Sequence, residues 1–198
     1  MGTYRFSAVA LSAPGARAPR LAGMTLHLGA DVLPGTYRID PRRSTVRFTA
    51  THVFGIKPVD GTFKIRAGTL VVAARPEQST ASAELDSASF TTDDKRRDAD
   101  VRGKRYLAVD AYPVIGFRST GLTRTAEGWR LAGVLGVRGG SAPMVLDVVD
   151  VAPAGDGYRF RATAVVDRVA AGVTAGRGII GRQVRVTVEC RVEPGGAA

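Results

Sequence analysis

Apolar and polar residues alternate at period two along most of this chain, the spacing of half-buried β-strands. Val46, Phe48, Ala50 and His52 share one phase, and Thr45, Arg47, Thr49 and Thr51 the other. The same pattern predicts strands over 62–74 (Phe63 and Ile65 in phase), 81–89, 114–120 and 129–138, where Leu131, Gly133, Leu135 and Val137 line one face. It continues over 143–151, 158–167 (Phe160, Ala162, Ala164) and 182–193 (Val184, Val186, Val188, Val192). Turn residues separate these runs: 54–61 around Pro58, 75–78, Glu127-Gly128, Gly139-Gly140-Ser141, 153–157 and a glycine-rich loop over 170–181. About eight strands at hairpin spacing, each with one apolar face, predict an all-β domain built as a sandwich or a closed barrel. The inward positions mix small residues (Gly133, Ala162, Ala164) with large ones (Phe48, Phe63, Phe117, Phe160). That mix fits a barrel enclosing a ligand and equally a tapered, filled core.

One stretch breaks the rhythm. Residues 91–119 open with Asp93 and Asp94, continue to Arg102, Lys104 and Arg105, and run through Tyr112-Pro113 into the strand carrying Phe117. Acids first and bases last is the order a helix dipole favours, so a short helical insertion is expected, capped by Thr92. Its few apolar residues, chiefly Val101, Tyr106 and Leu107, cannot form a separate core, so it must lie across one end of the β-structure as a lid. Arg97 and Asp98 are neighbours that point in different directions on a helix, so each is expected to anchor to something other than its neighbour. Asp98 and Asp100, among Arg96, Arg97 and Arg102, read as ionised, ion-paired surface carboxylates.

A chain of 198 residues is long enough for one well-cored domain. The pattern divides it into an extension over 1–33, partly disordered or adding an edge strand, a β-domain over 34–194, and a disordered tail over 195–198. The net charge of +10 comes mostly from arginines that alternate with apolar residues in the strands, which places them on a solvated outer face. Such a surface gives solubility or attraction to anionic membranes and nucleic acid. No basic cluster is interleaved with aromatics, so no specific nucleic-acid partner is expected. No apolar run approaches the ~18 residues of a membrane span. The segment after Arg5 is too short and interrupted for a signal peptide, so a cytoplasmic protein is expected. Cys190, the lone cysteine, falls in an apolar strand phase and reads as a small buried hydrophobe. The histidines are His27 and His52, and no spacing of His, Cys or carboxylates supplies a metal site. No nucleophile elbow, Walker loop or dinucleotide fingerprint is present, so neither an enzyme nor a cofactor is expected.

An ordered series of short motifs carries a resemblance. Thr36-Tyr37-Arg38-Ile39-Asp40-Pro41 with Ser44, Val46 and Phe48 resembles the opening of the YceI-like proteins, and Val59-Asp60-Gly61-Thr62-Phe63 a second segment. Ser89-Phe90-Thr91-Thr92, Arg97-Asp98, Tyr106-Leu107, Tyr112-Pro113 and Phe117-Arg118-Ser119 follow in the family's order. Gly133, Leu135, Val137-Arg138-Gly139 and Pro143 are similar to its late hairpin, and Asp167-Arg168 to its closing pair. The resemblance implies an extended, lipocalin-like, eight-stranded antiparallel β-barrel with a short helical insertion and a long apolar cavity. It further implies binding of a polyisoprenoid or similar long-chain amphiphile. The tail is then expected along Val46, Phe48, Phe63, Phe117, Leu135, Leu146 and Phe160, with Phe90 and Tyr106 beside it and the head near His52, Arg97 and Asp98. Arg43 and Asp100 stand where the family carries histidines, Tyr37 replaces its usual tryptophan, and Val169-Ala170-Ala171-Gly172 departs after the closing pair. If those histidines touch the head group, the ligand here differs. The competing readings are a ligand-free structural or stress-related module and a basic surface for anionic membrane or nucleic acid; a homodimer would protect sheet edges.

Overall fold

The structure is a computed structural model that describes residues 32–52 and 57–195. Nine strands form one antiparallel sheet: β1 (Gly35–Ile39), β2 (Thr45–His52), β3 (Lys57–Val72), β4 (Thr80–Asp86), β5 (Val114–Thr125), β6 (Gly128–Val137), β7 (Gly140–Ala154), β8 (Gly157–Asp167) and β9 (Gln183–Pro194). Each strand from β3 to β9 pairs with the next, and β2 bonds both β3 and β9, so the sheet closes into a barrel. β1 also lies between β3 and β9, with Tyr37 opposite Leu70 and Pro194. β1 and β2 therefore share one lane, broken where Pro41 offers no N–H and the Asp40 carboxylate accepts the Arg42 N–H at 2.8 Å. Nine strands fill eight lanes, which agrees with the barrel expected from the motifs.

Closure sends alternate residues inward. Val46 and Phe48 of β2 meet Phe63 and Ile65 of β3, Leu135 and Val137 of β6, Met144 and Leu146 of β7, and Val186 and Val188 of β9 in contiguous apolar clusters. Register shifts in β3 (Ile65/Ala67), β5 (Ser119/Gly121) and β7 (Val148/Asp150) supply the bending that a small barrel needs. Two strand glycines make room for aromatic rings. Gly61 faces Phe48 across the ladder, and a β-carbon there would come within 2.4 Å of the ring; at Gly133 it would come within 2.5 Å of Phe117. β3 begins at Lys57, so residues 57–61 of the turn expected over 54–61 are strand; 53–56 lie outside the described residues.

One end of the barrel is stoppered. The rings of Tyr37 and Tyr158 meet edge-on at 5.6 Å, and Phe160 stands 6.4 Å from Tyr158. Tyr37 donates its hydroxyl hydrogen to the Leu33 carbonyl at 2.8 Å, and the Leu33 N–H donates to the Tyr158 hydroxyl at 3.1 Å. The rest of the proposed extension (1–31) and 196–198 lie outside the described residues.

The other end carries the lid. β4 stops at Asp86, whose carboxylate accepts the Ala88 N–H at 3.0 Å and turns Ser87–Ser89 into a 3-10 helix, so the strand expected to residue 89 is shorter. Helix α1 (Lys95–Arg102) follows, and its N-cap is Asp94, accepting from the Arg96 and Arg97 N–H groups at 3.1 and 3.0 Å. Thr92, the expected cap, serves Asp98 instead. Asp98 is only 4% exposed, against the surface ion pair expected for it. Its carboxylate accepts from the Thr91 hydroxyl at 2.7 Å and from the Thr92 N–H and hydroxyl at 2.9 and 2.6 Å. Burial opposes its ionisation, but these bonds, with Arg102 nearby, outweigh burial and hold its pKa below the ordinary value. Arg97 donates through Nε to the Thr92 hydroxyl at 2.7 Å, so the two neighbours are joined through that hydroxyl and not directly. Arg102 donates to the Phe90 carbonyl, and a bridge between Thr62 and Thr91 ties the segment to β3. The β6–β7 turn centres on Arg138-Gly139, one residue earlier than expected. Arg138 adopts φ +50°, and its guanidinium holds the Arg105 and Lys104 carbonyls at 3.0 and 2.8 Å. The turn thus clamps the end of the insertion.

Two measurements check this packing. Gly61→Ala is expected to lower stability by about 1–3 kcal/mol in denaturant titration, because the methyl overpacks against Phe48 and the Thr91 carbonyl. Asp98→Asn is expected to cost on the order of 1–3 kcal/mol near neutral pH, where the wild-type carboxylate is ionised and bonded. Because the folded pKa is depressed, that contribution is present above the unfolded value of about 3.9 and disappears as pH falls through the folded one. The stability gap between wild type and Asp98→Asn should therefore narrow below about pH 4; a gap independent of pH would refute the role given to the carboxylate.

Candidate functional site

Within the ring lies an apolar cavity of about 280 Å³. Phe48, Phe63 and Phe90 form an aromatic wall, with Phe48 stacked on Phe90 at 5.2 Å and Phe63 5.4 Å from Phe90. Opposite stand Phe117, Leu135 and Leu146, and Val46 and Cys190 lie further along the wall. The lid supplies Val101, Tyr106 and Leu107, with Val173 and Ile180 from the loop between β8 and β9. Among the expected site residues, Val46, Phe48, Phe63, Phe90, Arg97, Tyr106, Phe117, Leu135 and Leu146 thus stand around one space.

Three do not. Phe160 belongs to the stopper beside Tyr158 and is absent from the cavity wall, because β8 starts at that end and Phe160 is only its fourth residue. Asp98 is buried among the Thr91 and Thr92 hydroxyls, where it fixes the helix and has no face toward the cavity. His52 closes β2 opposite Lys57, and its side chain lies outside the described residues. The positions where the family carries histidines also stand away from the wall. Arg43 is exposed and paired with Asp40 and Glu193 at 3.6 Å each, and Asp100 is on the outside of α1. Neither Arg43 nor Asp100 lines the cavity.

Few polar groups border the cavity: Thr51, Thr92, Arg97, Tyr106 and Arg168, with no carboxylate among them. Arg97 lies at the lid, half-exposed, its Nη1 3.9 Å from Asp94 and its Nε and Nη2 committed to Thr92. Arg168 is 8% exposed and makes no ion pair with a carboxylate among the described residues. Instead it donates through Nε to the Gly181 carbonyl at 2.8 Å, through Nη1 to Val173 and Ala175 at 2.7 Å each, and through Nη2 to Ile180 at 2.8 Å and Gly176 at 3.4 Å. Five N–H donors meet five backbone carbonyls, so the glycine-rich loop is wrapped around one side chain. Burial is the main pressure pushing its pKa down, and the carbonyl dipoles make the charge tolerable. The motif series picked out Arg168 only as half of a pair. Its acceptors are all main chain, so no side-chain pattern announces the role.

The wall offers little to covalent chemistry. Cys190 has its thiol pushed up to about 12 by burial, far from a reactive thiolate. Among the described residues, no three of His, Cys, Asp and Glu stand together as metal ligands, and no helix is long and apolar enough to cross a membrane. The arrangement can desolvate an apolar chain, with its hydrogen-bonding groups gathered at the lid.

Comparison with known proteins bears on this geometry. A protein of Pseudomonas savastanoi called UPF0312 protein is 33% identical over 128 residues, covering 63% of this chain and 66% of the relative. The match therefore spans just under two thirds of that relative's length. A UPF0312 protein of Serratia proteamaculans is 26% identical over 175 residues, covering 84% of this chain and 91% of the relative. Among solved structures, Burkholderia cenocepacia BcnA superposes with a TM-score of 0.67 at 24% identity, covering 77% of this chain and 98% of that one. A structure described as a polyisoprenoid binding domain from Saccharophagus degradans superposes with a TM-score of 0.55 at 13% identity, covering 80% and 98%. These likenesses show the barrel fold. The family model described as YceI-like domain matches residues 37–192, from within β1 to within β9, and the chain belongs to that family.

Proposed function

We propose that the protein binds a long-chain amphiphile, a polyisoprenoid or similar lipid, for carriage, storage or sequestration, and performs no reaction on it. The observation that carries this reading is the cavity wall: a closed ring of aliphatic and aromatic side chains around unfilled space, with hydrogen-bonding groups gathered at the lid. Removing a tail from water contributes on the order of 25 cal/mol per Å², so affinity needs few directed bonds. The Saccharophagus relative, described as a polyisoprenoid binding domain, supports the same class of ligand. At about 280 Å³ the space lies just below the ~300–1,000 Å³ usual for small-molecule sites. It suits one tail of moderate length; a longer polyisoprenoid must part the lid or leave its far end outside. The head then rests near Arg97 and Thr92. Catalysis has no support in the wall, which offers neither an acid–base pair nor an activated nucleophile.

Native mass spectrometry and organic extraction of the purified full chain are expected to reveal a co-purifying lipid, and added prenyl alcohols or fatty acids to raise its melting temperature. Ala83→Phe, which fills part of the cavity from β4, is expected to abolish both effects while leaving the barrel folded by circular dichroism. Absence of any bound or bindable tail in wild type would sink the reading. Maleimide labelling of Cys190 near neutral pH is expected to be slow in the native protein, fast in denaturant, and slower still when a tail is bound. Unchanged labelling on saturation would place the ligand elsewhere.

A further inference from the structure

The loop that Arg168 gathers has a second face. Along 177–182 the chain reads Arg-Gly-Ile-Ile-Gly-Arg. Ile180 points inward and lines the cavity, while its neighbour Ile179 stands 50% exposed on the outside. Val165 on the barrel wall is more exposed still, at 57%, so what sets Ile179 apart is its place in a loop between two arginines. Arg177 is exposed, and the Arg182 side chain is 68% exposed although it meets Asp167 at 2.6 Å. Between them runs an open cleft of about 690 Å³, lined by Arg168, Val169 and residues 177–182. Gly176 and Gly178 adopt φ of +68° and +84°, conformations that let the chain double back and present Ile179 at the tip. An apolar tip flanked by Arg177 and Arg182, beside an open cleft that both arginines line, matches a layer of anionic head groups over acyl chains.

We infer that the β8–β9 loop is a membrane-docking element, which seats Ile179 at the head-group boundary of an anionic bilayer with Arg177 and Arg182 among the head groups. Tyr112, 39% exposed on the same lid end and packed against Gly139, adds an amphipathic side chain suited to that depth. The chain's net charge of +10 steers it toward such a surface. Docked this way, the cavity and the bilayer are separated by one turn of backbone, since Ile179 faces one and Ile180 the other. A lipid passing between them crosses a single loop. The docking claim is independent of whether a tail occupies the barrel.

The test is co-sedimentation of the full chain with vesicles of phosphatidylcholine containing about a third phosphatidylglycerol, at low salt, with pure phosphatidylcholine alongside. Wild type is expected to bind the anionic vesicles and not the neutral ones. Ile179→Ser should weaken binding about tenfold or more, and Arg177→Gln about fivefold. Arg47→Gln, which removes another exposed charge, this one from the barrel wall, should leave it unchanged. All three side chains are exposed, so unchanged melting temperatures control for folding. Failure of wild type to sediment with anionic vesicles, or equal losses for Arg47→Gln and Arg177→Gln, would overturn the inference; the second result would mean diffuse attraction of a basic protein. Extraction of bound lipid from vesicle-free protein reports on the cavity alone, so the two readings fail separately.

Discussion

Closing an antiparallel sheet on itself removes its edges and sends every second side chain into a space of fixed girth. Here that space has eight lanes around it, and its filling follows from what the lanes deliver. Where Gly61 and Gly133 face inward, the rings of Phe48 and Phe117 lie over them and claim the room. Ala83, Ala162 and Ala164 are inward positions with short side chains. At the Tyr37–Tyr158 end the aromatic side chains meet; toward the lid they do not, and a cavity remains. Cavity and stopper are two outcomes of one geometric condition.

The lid rests on two buried charges satisfied without each other. Asp98 takes three donors from Thr91 and Thr92, and Arg168 gives its donors to five loop carbonyls. Each charge organises the segment next to it, since the hydrogen bonds that make burial tolerable are available in only one backbone arrangement. The insertion and the glycine-rich loop are therefore separately held pieces. They meet near Tyr106, whose hydroxyl approaches Gly176. An opening of one does not require the other to unfold.

Alternation along the strands was legible in the residues, because each inward phase carries its own apolar signal: Val46 with Phe48, Leu135 with Val137, Val186 with Val188. Sandwich and barrel were not separable that way, since both need the same one-sided strands; the ordered motifs decided for the barrel, and the closed ladder agrees. The lane shared by β1 and β2 was hidden because pairing partners are set by closure and not by local pattern. Asp98 misled for a related reason. Its sequence neighbours are arginines, while its actual partners are hydroxyls six and seven residues earlier, brought back by the turn before α1. Phe160 had the correct phase and the wrong depth: periodicity says which face a side chain takes, not how far along the barrel it sits.

The tyrosine stopper has a consequence for traffic. A tube blocked at its base by interlocked rings, themselves tied to the Leu33 backbone, leaves the lid end as its doorway among the described residues. Whatever goes in must come out backwards. The last atoms to enter are the first to leave, so an occupant's orientation is decided once, on arrival, and cannot be reversed without complete withdrawal.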